Sequence, residues 1–236
     1  MKRNNTNQYT ECPETLTEHP FYGLDLDNEQ IIFRDTIWDD SKKIIFCNSK
    51  AGCGKTLIAT ATANLLVKYG KFDGIVYIAA PTQEQKLGFL PGSVEEKTAP
   101  YYEPFYQALE TIGVNTNTAM FDDIMNEKNG TAYIECTTQV YLRGCNFQRK
   151  VIIIDEMENF YTDECKKVLT RIHDDCKVIC IGHTGQIDLY SHPYNSGFER
   201  YLNHFAKAND ERVAVCELNT NHRGWISTYA DSYRGG

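Results

Sequence analysis

The sequence predicts an α/β fold in which a mostly parallel β-sheet is covered by helices on both faces. The first indication is a series of short, continuous apolar runs, which are typical of strands buried on both sides. The second is the alternation of these runs with longer segments of helical periodicity. The third is the run Val151-Ile152-Ile153-Ile154, the strongest strand signal in the chain. The predicted strands are residues 43–47, 75–80, 133–136, 151–154, 177–181 and 213–218.

Residues 27–40 form the first predicted helix, because four apolar residues are spaced for one face of a helix. These four residues are Ile31, Ile32, Ile37 and Trp38. Asp27 or Asn28 is placed to cap this helix. Further helices are predicted at residues 57–69, where Gly70 is the terminator, at 163–172 and at 197–208. Pro100 and Pro104 punctuate the helices expected in the mixed stretch 82–130.

The composition is that of a globular protein. The chain has 236 residues, of which 42% are hydrophobic and 24% charged, and this excludes collagen-like and disordered classes. Its 24 Lys and Arg residues against 32 Asp and Glu residues give a net charge of −8. That charge excludes a protein that coats nucleic acid through bulk positive charge, although a local basic groove stays open. We expect a flexible arm over residues 1–20 and a single domain over residues 21–236.

The nine cysteines are scattered and contain no C-x-x-C pair. This pattern favours reduced thiols over a disulfide framework or a zinc site. No apolar run approaches the roughly 18 residues of a membrane span, and the polar N-terminus lacks the apolar stretch of a signal peptide. We therefore expect a cytoplasmic protein without a membrane partner.

The segment between the first strand and the helix that follows reads Ser49-Lys50-Ala51-Gly52-Cys53-Gly54-Lys55-Thr56. It matches the phosphate-binding P-loop pattern G-x-x-x-x-G-K-[ST], except that Ser49 replaces the first glycine. Backbone N–H groups of such a loop wrap around a polyphosphate, and the helix N-terminus adds a positive field. We expect all eight residues to bind the nucleotide, with Lys55 on the β- and γ-phosphates and the Thr56 hydroxyl on Mg²⁺.

An acidic pair, Asp155-Glu156, directly follows the strand at residues 151–154. Because the carboxyl ends of parallel strands meet at one edge of a sheet, this pair is expected beside the P-loop. Asp155 would then hold Mg²⁺ and Glu156 would act as general base toward the attacking water, which is the Walker B arrangement. An acidic helix cap is the less favoured interpretation.

Further blocks resemble the PhoH family specifically. They are K-L-G-F-L-P-G at residues 86–92, Y-L-R-G at 141–144 and G-H-T-G-Q-I-D-L at 182–189. The resemblance runs from about residue 28 to about residue 231. It implies a bacterial or phage P-loop NTPase of the kind associated with phosphate starvation, with a RecA-like three-layer αβα domain similar to the first motor domain of superfamily 1 helicases. It also implies Mg²⁺-dependent ATP hydrolysis coupled to RNA or single-stranded DNA.

The resemblance assigns roles to residues outside the two motifs. Gln30 takes the place of the helicase glutamine that pairs with adenine, with an ordinary exposed helix glutamine as the equal alternative. Gln186 is the expected γ-phosphate sensor, and Arg223 is expected to contact the γ-phosphate. Arg143 and Arg171 are candidate arginine fingers, in cis or across a subunit boundary, with surface ion pairs as their alternative. The absence of a second motor domain implies a ring-like homo-oligomer such as a hexamer.

Two departures from the family pattern fall near these motifs. His183 stands where the family usually has Asp, and Glu158 stands where it has Gln. The second change is expected to disturb coupling between hydrolysis and a bound strand, while basal hydrolysis is retained. The aromatic group at residues 101, 102, 105 and 106 is interpreted as packing, with base stacking as the less favoured alternative.

Two other functions stay open from the sequence. One is an ATP-responsive oligomeric switch or binding module that hydrolyses slowly and has no motor activity on nucleic acid. The other is a kinase, which is disfavoured because Glu156 directly after Asp155 favours water as the phosphoryl acceptor.

Overall fold

The computed structural model describes residues 11–80, 94–121, 124–139, 142, 145–185 and 196–231. Across these residues, six strands form one sheet in which every pairing is parallel. The strands are β1 (Ile44–Ser49), β2 (Gly74–Ala79), β3 (Ile134–Thr138), β4 (Lys150–Asp155), β5 (Lys177–Gly182) and β6 (Val213–Leu218). Their order in the sheet is β3-β2-β4-β5-β1-β6. The predicted parallel α/β sheet is therefore confirmed.

Helices cover both faces of this sheet. They are α1 (Asn28–Trp38), α2 (Lys55–Lys68), α3 (Val94–Thr111), α4 (Thr116–Ala119), α5 (Ile124–Asn129), α6 (Thr162–Leu169), α7 (Gly197–Lys207) and α8 (Trp225–Asp231). Side chains of α1, α2 and α3 share one apolar core, and those of α6 and α7 share the other. The three-layer αβα arrangement follows from these two cores. No helix in the described ranges is both long and apolar enough to cross a membrane.

Strand alternation divides the sheet residues between the two cores. In β1, Ile45 and Cys47 face the α1–α2–α3 side, whereas Ile44 and Phe46 face α6 and α7. This two-sided burial explains why the strands read as continuous apolar runs rather than alternating ones.

The sheet topology brings the two sequence motifs to one edge. Strand β5 lies between β1 and β4, so the P-loop after β1 and the acidic pair at the end of β4 are separated by a single strand. Adjacent strands are spaced by about 4.8 Å, so the two strand ends lie roughly 10 Å apart. A ligand that contacts both the P-loop and the acidic pair must therefore lie at the carboxyl edge of the sheet.

Helix α1 buries part of the predicted face, namely Ile37 and Trp38. Asp27 caps it in a capping box with Gln30, as the sequence indicates. Ile32, however, is 62% exposed. The buried stripe consists of residues 30, 33, 34, 37 and 38, which are spaced i, i+3, i+4, i+7 and i+8. It includes two polar side chains, Gln30 and Arg34, so counting apolar residues alone misses them and wrongly includes Ile32.

Helix α3 runs without interruption through Pro100 and Pro104. Each proline removes one helical hydrogen bond, which costs about 3 kcal/mol in an isolated helix. Packing opposes this cost, because Phe105 and Leu109 are fully buried in the core. The expectation that the prolines separate helices here is therefore wrong, and tertiary contacts explain why.

The second half of the predicted arm packs against the domain. Leu16 has no exposed surface and belongs to the α1–α2–α3 core. The indole N–H of Trp38 lies 3.3 Å from the Pro13 carbonyl oxygen and 3.2 Å from that of Glu14. Residues 11–20 are thus part of the folded structure, while residues 1–10 of the predicted arm lie outside the described residues.

We expect Leu16→Ala to lower the free energy of unfolding by about 2–4 kcal/mol, because it removes a fully buried side chain and leaves a cavity. Urea unfolding followed by circular dichroism measures this loss. Ile32→Ala is the matched control, since an exposed substitution changes stability by no more than about 0.5 kcal/mol. Equal stabilities of the two variants would show that residues 11–20 do not pack on the domain in solution.

Candidate nucleotide-binding site

The phosphate loop begins directly at the end of β1. Ser49 is the last residue of that strand and pairs with Leu218 of β6. Its hydroxyl lies 3.0 Å from the Cys47 sulfur, buried within the sheet edge. Because Ser49 has extended backbone, this position does not need the conformational freedom of the glycine that the motif usually has.

The two remaining glycines of the loop are required by their conformation and their surroundings. Gly52 and Gly54 have φ angles of +83° and +77°, which side-chain-bearing residues rarely adopt. A Cβ atom on Gly52 would lie 2.7 Å from Oδ1 of Asn221, and one on Gly54 would lie 2.9 Å from Nε2 of Gln30. The Asn221 and Gln30 side chains therefore leave no room for a side chain at Gly52 and Gly54, respectively.

Lys55 places a cation inside the curve of the loop. Its ammonium group donates to the carbonyl oxygens of Ser49 at 3.3 Å and Lys50 at 3.2 Å. Lys55 is also the first residue of α2, so the positive end of a 14-residue helix points to the same place. A phosphate group suits this combination of ammonium, backbone N–H groups and helix N-terminus.

Thr56 and Asp155 meet in front of the loop. The Thr56 hydroxyl donates to Oδ2 of Asp155 at 2.8 Å, and Asp155 is only 3% exposed. Within the described ranges, no group of three or more His, Cys, Asp or Glu side chains could hold a metal by itself. One hydroxyl and one carboxylate nevertheless fit Mg²⁺, which keeps several waters and takes its other ligands from phosphates.

The Asp155 carboxylate accepts two further hydrogen bonds. Tyr77 of β2 donates its hydroxyl to Oδ2 at 2.8 Å, and the backbone N–H of Glu156 donates to Oδ1 at 2.9 Å. Sequence reasoning did not find Tyr77, because no local pattern marks a residue that reaches a neighbouring strand's end. Three donors from three elements thus hold this buried carboxylate in one orientation.

Glu156 leaves the strand in an unusual conformation. Its φ and ψ angles are +50° and +41°, in the left-handed region, and its side chain is exposed. Such angles are uncommon for residues with a side chain and cluster at functional sites. Glu156 lines a pocket together with Asp155, Tyr77 and the proline-bearing face of α3. Its carboxylate is thus accessible at the carboxyl edge of the sheet.

Gln30 braces the loop. Its side-chain N–H donates to the Cys53 carbonyl oxygen at 3.0 Å, while its Oε1 accepts from the Asp27 backbone N–H at 3.2 Å. The side chain is buried, so the alternative of an ordinary exposed glutamine is wrong. Both ends of the amide are engaged between α1 and the loop.

The segment after β6 lies against the same loop. The His222 backbone N–H donates to the Gly52 carbonyl oxygen at 2.9 Å, and its imidazole Nε2 lies 2.9 Å from Oδ2 of Asp27. Arg223 follows, and its Cδ would lie 3.2 Å from a Cβ on Gly52. The fold therefore brings Arg223 close to the loop, and its contact with a γ-phosphate stays a prediction.

A carboxylate fixes the start of this segment. Glu29 accepts hydrogen bonds from the Asn219 backbone at 2.6 Å and from the Asn219 side chain at 3.1 Å. These bonds hold the pKa of Glu29 below its usual value. The end of β6 is thus tied to the first turn of α1, which in turn contacts the loop through Gln30.

The other predicted site residues have different outcomes. Arg171 follows the end of α6, near the start of β5, and its Nε donates to the Lys167 carbonyl oxygen at 2.9 Å. It therefore lies at the amino edge of the sheet, away from the loop of its own chain. Cys53 is buried, and burial raises the pKa of its thiol. Gln186 and Arg143 lie outside the described residues.

The residue at the second departure, Glu158, is a buried carboxyl group. It is 5% exposed, and its Oε2 has no hydrogen-bond partner in the described part of the chain. A Cβ on Gly182 would lie 2.9 Å from that oxygen, so the carboxyl group packs on the end of β5. Burial, with repulsion from Asp155 and Glu156, raises the pKa of Glu158 to about 8 against the attraction of Lys55. The raised pKa favours the protonated acid near neutral pH, and a protonated carboxyl group is close in shape to the glutamine that the resemblance implies at this position.

The first departure, His183, lies directly after β5 at the same edge. A Cβ on Gly185 would lie 3.0 Å from its Nε2, so the imidazole packs under the turn that follows. Thr184 joins this turn to β1 through a hydrogen bond from its backbone to the Asn48 side chain at 3.2 Å. The ends of β1 and β5 are thereby connected across the site.

We expect Glu158→Gln to become stabilising relative to the native protein as the pH rises. The folded protein binds the Glu158 proton more tightly than the unfolded chain, so this group's stabilising contribution is full below about pH 4.5 and is lost toward pH 8. The difference in free energy of unfolding widens by at most about 1.4 kcal/mol per pH unit in that window. Urea unfolding from pH 4.5 to 8 measures it, with the exposed Glu217→Gln as control. Parallel pH profiles for the native protein and Glu158→Gln would contradict a buried, protonated Glu158.

The model of the PhoH-like protein family matches residues 26–224 of this chain. The chain is 33% identical over 177 residues to Protein PhoH of Escherichia coli strain K12, covering 75% of this chain and 48% of that protein. It is 34% identical over 148 residues to Protein PhoH2 of Bacillus subtilis strain 168, covering 61% of this chain and 32% of that protein. The chain thus spans about half or less of these relatives.

The architecture is similar to that of the large terminase from a thermophilic bacteriophage. The TM-score is 0.57 at 12% sequence identity, over 90% of this chain and 51% of that chain. Together with the position of β5 between β1 and β4, this likeness confirms the RecA-like P-loop NTPase fold.

The family match extends from the N-terminal cap of α1 to the turn before α8. It therefore includes the P-loop, the acidic pair and the segment that carries Arg223. This chain belongs to the PhoH family.

Proposed function

We propose that this protein binds ATP together with Mg²⁺ and hydrolyses it. The observation that carries the proposal is the 2.8 Å hydrogen bond between Thr56 and Asp155 at the mouth of the Lys55 loop. A hydroxyl and a buried carboxylate beside a phosphate loop are what a metal–triphosphate complex requires. Membership of the PhoH family supports the same assignment.

Binding begins with the phosphates in the loop. Its backbone N–H groups surround the β-phosphate, and the Lys55 ammonium exchanges the carbonyl oxygens of Ser49 and Lys50 for phosphate oxygens. Thr56 and Asp155 would hold Mg²⁺, and the ion would help to neutralise the charge of the phosphates. The buried Gln30 amide is near enough to the loop to read adenine if it exchanges one of its present partners.

Hydrolysis then requires an oriented water and compensation of charge. Glu156, exposed at the end of β4, would accept a proton from water as its oxygen attacks the γ-phosphorus; the bond from that phosphorus to the β–γ bridging oxygen breaks, and ADP leaves. Arg223, beside Gly52, supplies positive charge toward the γ-phosphate. Coupling of this turnover to RNA or single-stranded DNA, and a ring-like homo-oligomer, are finer parts of the proposal. Gln186 as sensor and Arg143 or Arg171 as a finger from a neighbouring subunit belong with them.

An oligomeric or partner-binding switch with slow hydrolysis is the second candidate function. The observation that favours it is the exposed apolar surface of α8, formed by Trp225, Ile226 and Tyr229. This helix follows directly after the segment that contacts the loop, and the Asn221 side chain donates to the Ser227 hydroxyl at 2.9 Å. A change in the loop on nucleotide binding would therefore reach that surface.

We expect phosphate release from Mg²⁺–ATP to fall about 100-fold or more in Lys55→Ala and in Glu156→Gln. Glu156→Gln should still bind ATP, because it removes the base and leaves the loop intact, whereas Lys55→Ala should lose binding as well. A phosphate-release assay and titration with a fluorescent ATP analogue measure the two effects. Lys128→Ala and Glu127→Gln on α5 remove the same charges away from the loop and serve as controls. Full phosphate release by Lys55→Ala would contradict the ATPase proposal.

Added single strands separate the two candidate functions. If RNA or single-stranded DNA raises turnover several-fold in the native protein and not in Glu156→Gln, the hydrolysis is coupled to nucleic acid. Turnover that is unchanged by added RNA or single-stranded DNA, together with a nucleotide-dependent change in molar mass measured by light scattering, supports the oligomeric switch instead. Turnover that is unchanged by added strands, at a molar mass that does not change with nucleotide, contradicts both the coupling to nucleic acid and the oligomeric switch.

A further inference from the structure

The Tyr77 hydroxyl reaches the candidate metal site from β2, although no motif of the site contains this residue. We propose that Tyr77 is a positioning residue that orients the Asp155 carboxylate for Mg²⁺ and thereby sets the affinity for Mg²⁺–ATP. This inference rests on the proposed function, and it adds a residue of β2 that controls the candidate Mg²⁺ site.

The strand register explains how the contact forms. Tyr77 is paired with Ile153, and Ala79 with Asp155, in the parallel β2–β4 ladder. Side chains two residues apart point to the same face of a sheet, so Tyr77 and Asp155 are diagonal neighbours on the α1–α2–α3 side. An aromatic side chain is long enough to span that diagonal, which is where the 2.8 Å bond lies.

The direction of the hydrogen bond follows from burial. Tyr77 is 1% exposed, and a buried phenol requires a partner for its hydroxyl. A phenol at neutral pH carries its proton, so it donates to the Asp155 carboxylate. Thr56 donates to the same oxygen, Oδ2, whereas the Glu156 backbone holds Oδ1. Of these three donors, Thr56 belongs to the P-loop and Glu156 to the acidic pair, whereas Tyr77 belongs to neither motif.

The Tyr77 ring is itself held by α3. It stacks on Phe105 with a centroid separation of 4.3 Å and an interplanar angle of 10°, and Tyr102 approaches its edge at 6.4 Å. The same helix presents Pro100, Tyr101 and Pro104 to the pocket beside Asp155 and Glu156. A displacement of α3 would therefore move the hydroxyl that orients the metal-binding carboxylate.

We expect Tyr77→Phe to weaken binding of a fluorescent ATP analogue about 10-fold in the presence of Mg²⁺, and to leave binding without metal unchanged. The Mg²⁺ concentration for half-maximal phosphate release should rise by the same factor. The variant removes one oxygen atom and keeps the ring that stacks on Phe105, so the fold is retained. Urea unfolding of the same samples checks that it is.

Tyr133→Phe is the matched control. The Tyr133 hydroxyl donates to Oδ1 of Asn64 at 2.9 Å, away from the site, so its loss should leave Mg²⁺ dependence unaltered. An unchanged Mg²⁺ dependence in Tyr77→Phe would overturn the inference about Tyr77 and leave the proposed function standing. Equal weakening with and without Mg²⁺ would also overturn it, because Tyr77 would then act on the loop. A native protein that binds no ATP under either condition would overturn the proposed function and this inference together.

Discussion

A buried carboxylate that needs several donors is the constraint on which the candidate site depends. Asp155 is almost fully enclosed at the end of the central strand β4, where an unsatisfied charge would cost several kcal/mol. Its donors come from α2, β2 and the first residue after its own strand. Satisfying this one group therefore fixes three elements relative to one another, and it places the Thr56 hydroxyl where a metal ion needs it.

The phosphate loop is held by elements far away in the chain. Gln30 contacts the loop from α1, and His222 contacts it from the segment after β6. Asp27, the N-cap residue of α1, contacts both Gln30 and the His222 imidazole. These contacts hold the loop backbone at the carbonyl oxygens of Gly52 and Cys53. The loop is consequently shaped before any ligand arrives, which lowers the ordering cost of binding.

Local features of the sequence account for most of the fold and for the centre of the site. The strands, the P-loop glycines and the Asp155-Glu156 pair are recognisable because burial on both faces and positive φ angles restrict which residues a position accepts. Arg223 is identified only through the resemblance to the PhoH family. Its proximity to Gly52 depends on the whole sheet.

Tertiary contacts explain what the sequence could not predict. The stripe that α1 buries includes Gln30 because that amide has a partner in the loop, and α3 tolerates two prolines because Phe105 stacks on Tyr77. The Tyr77–Asp155 bond joins strands that are distant in sequence, and no periodicity reports it. Local sequence patterns predict whether a segment forms a helix or a strand. These side-chain contacts depend instead on which helices and strands become neighbours in the fold.

The position of β1 in the sheet has a consequence for how the protein is made. Ile44 pairs with Val178 of β5 and Val213 of β6, so both neighbours of this early strand are synthesised much later. Strands β2, β3 and β4 can pair with one another as soon as they are synthesised, whereas β1 must wait until β5 and β6 have been made. The apolar β1 and the helix after it depend on protection during that interval. A nascent chain therefore completes its phosphate loop only after residue 218 has emerged.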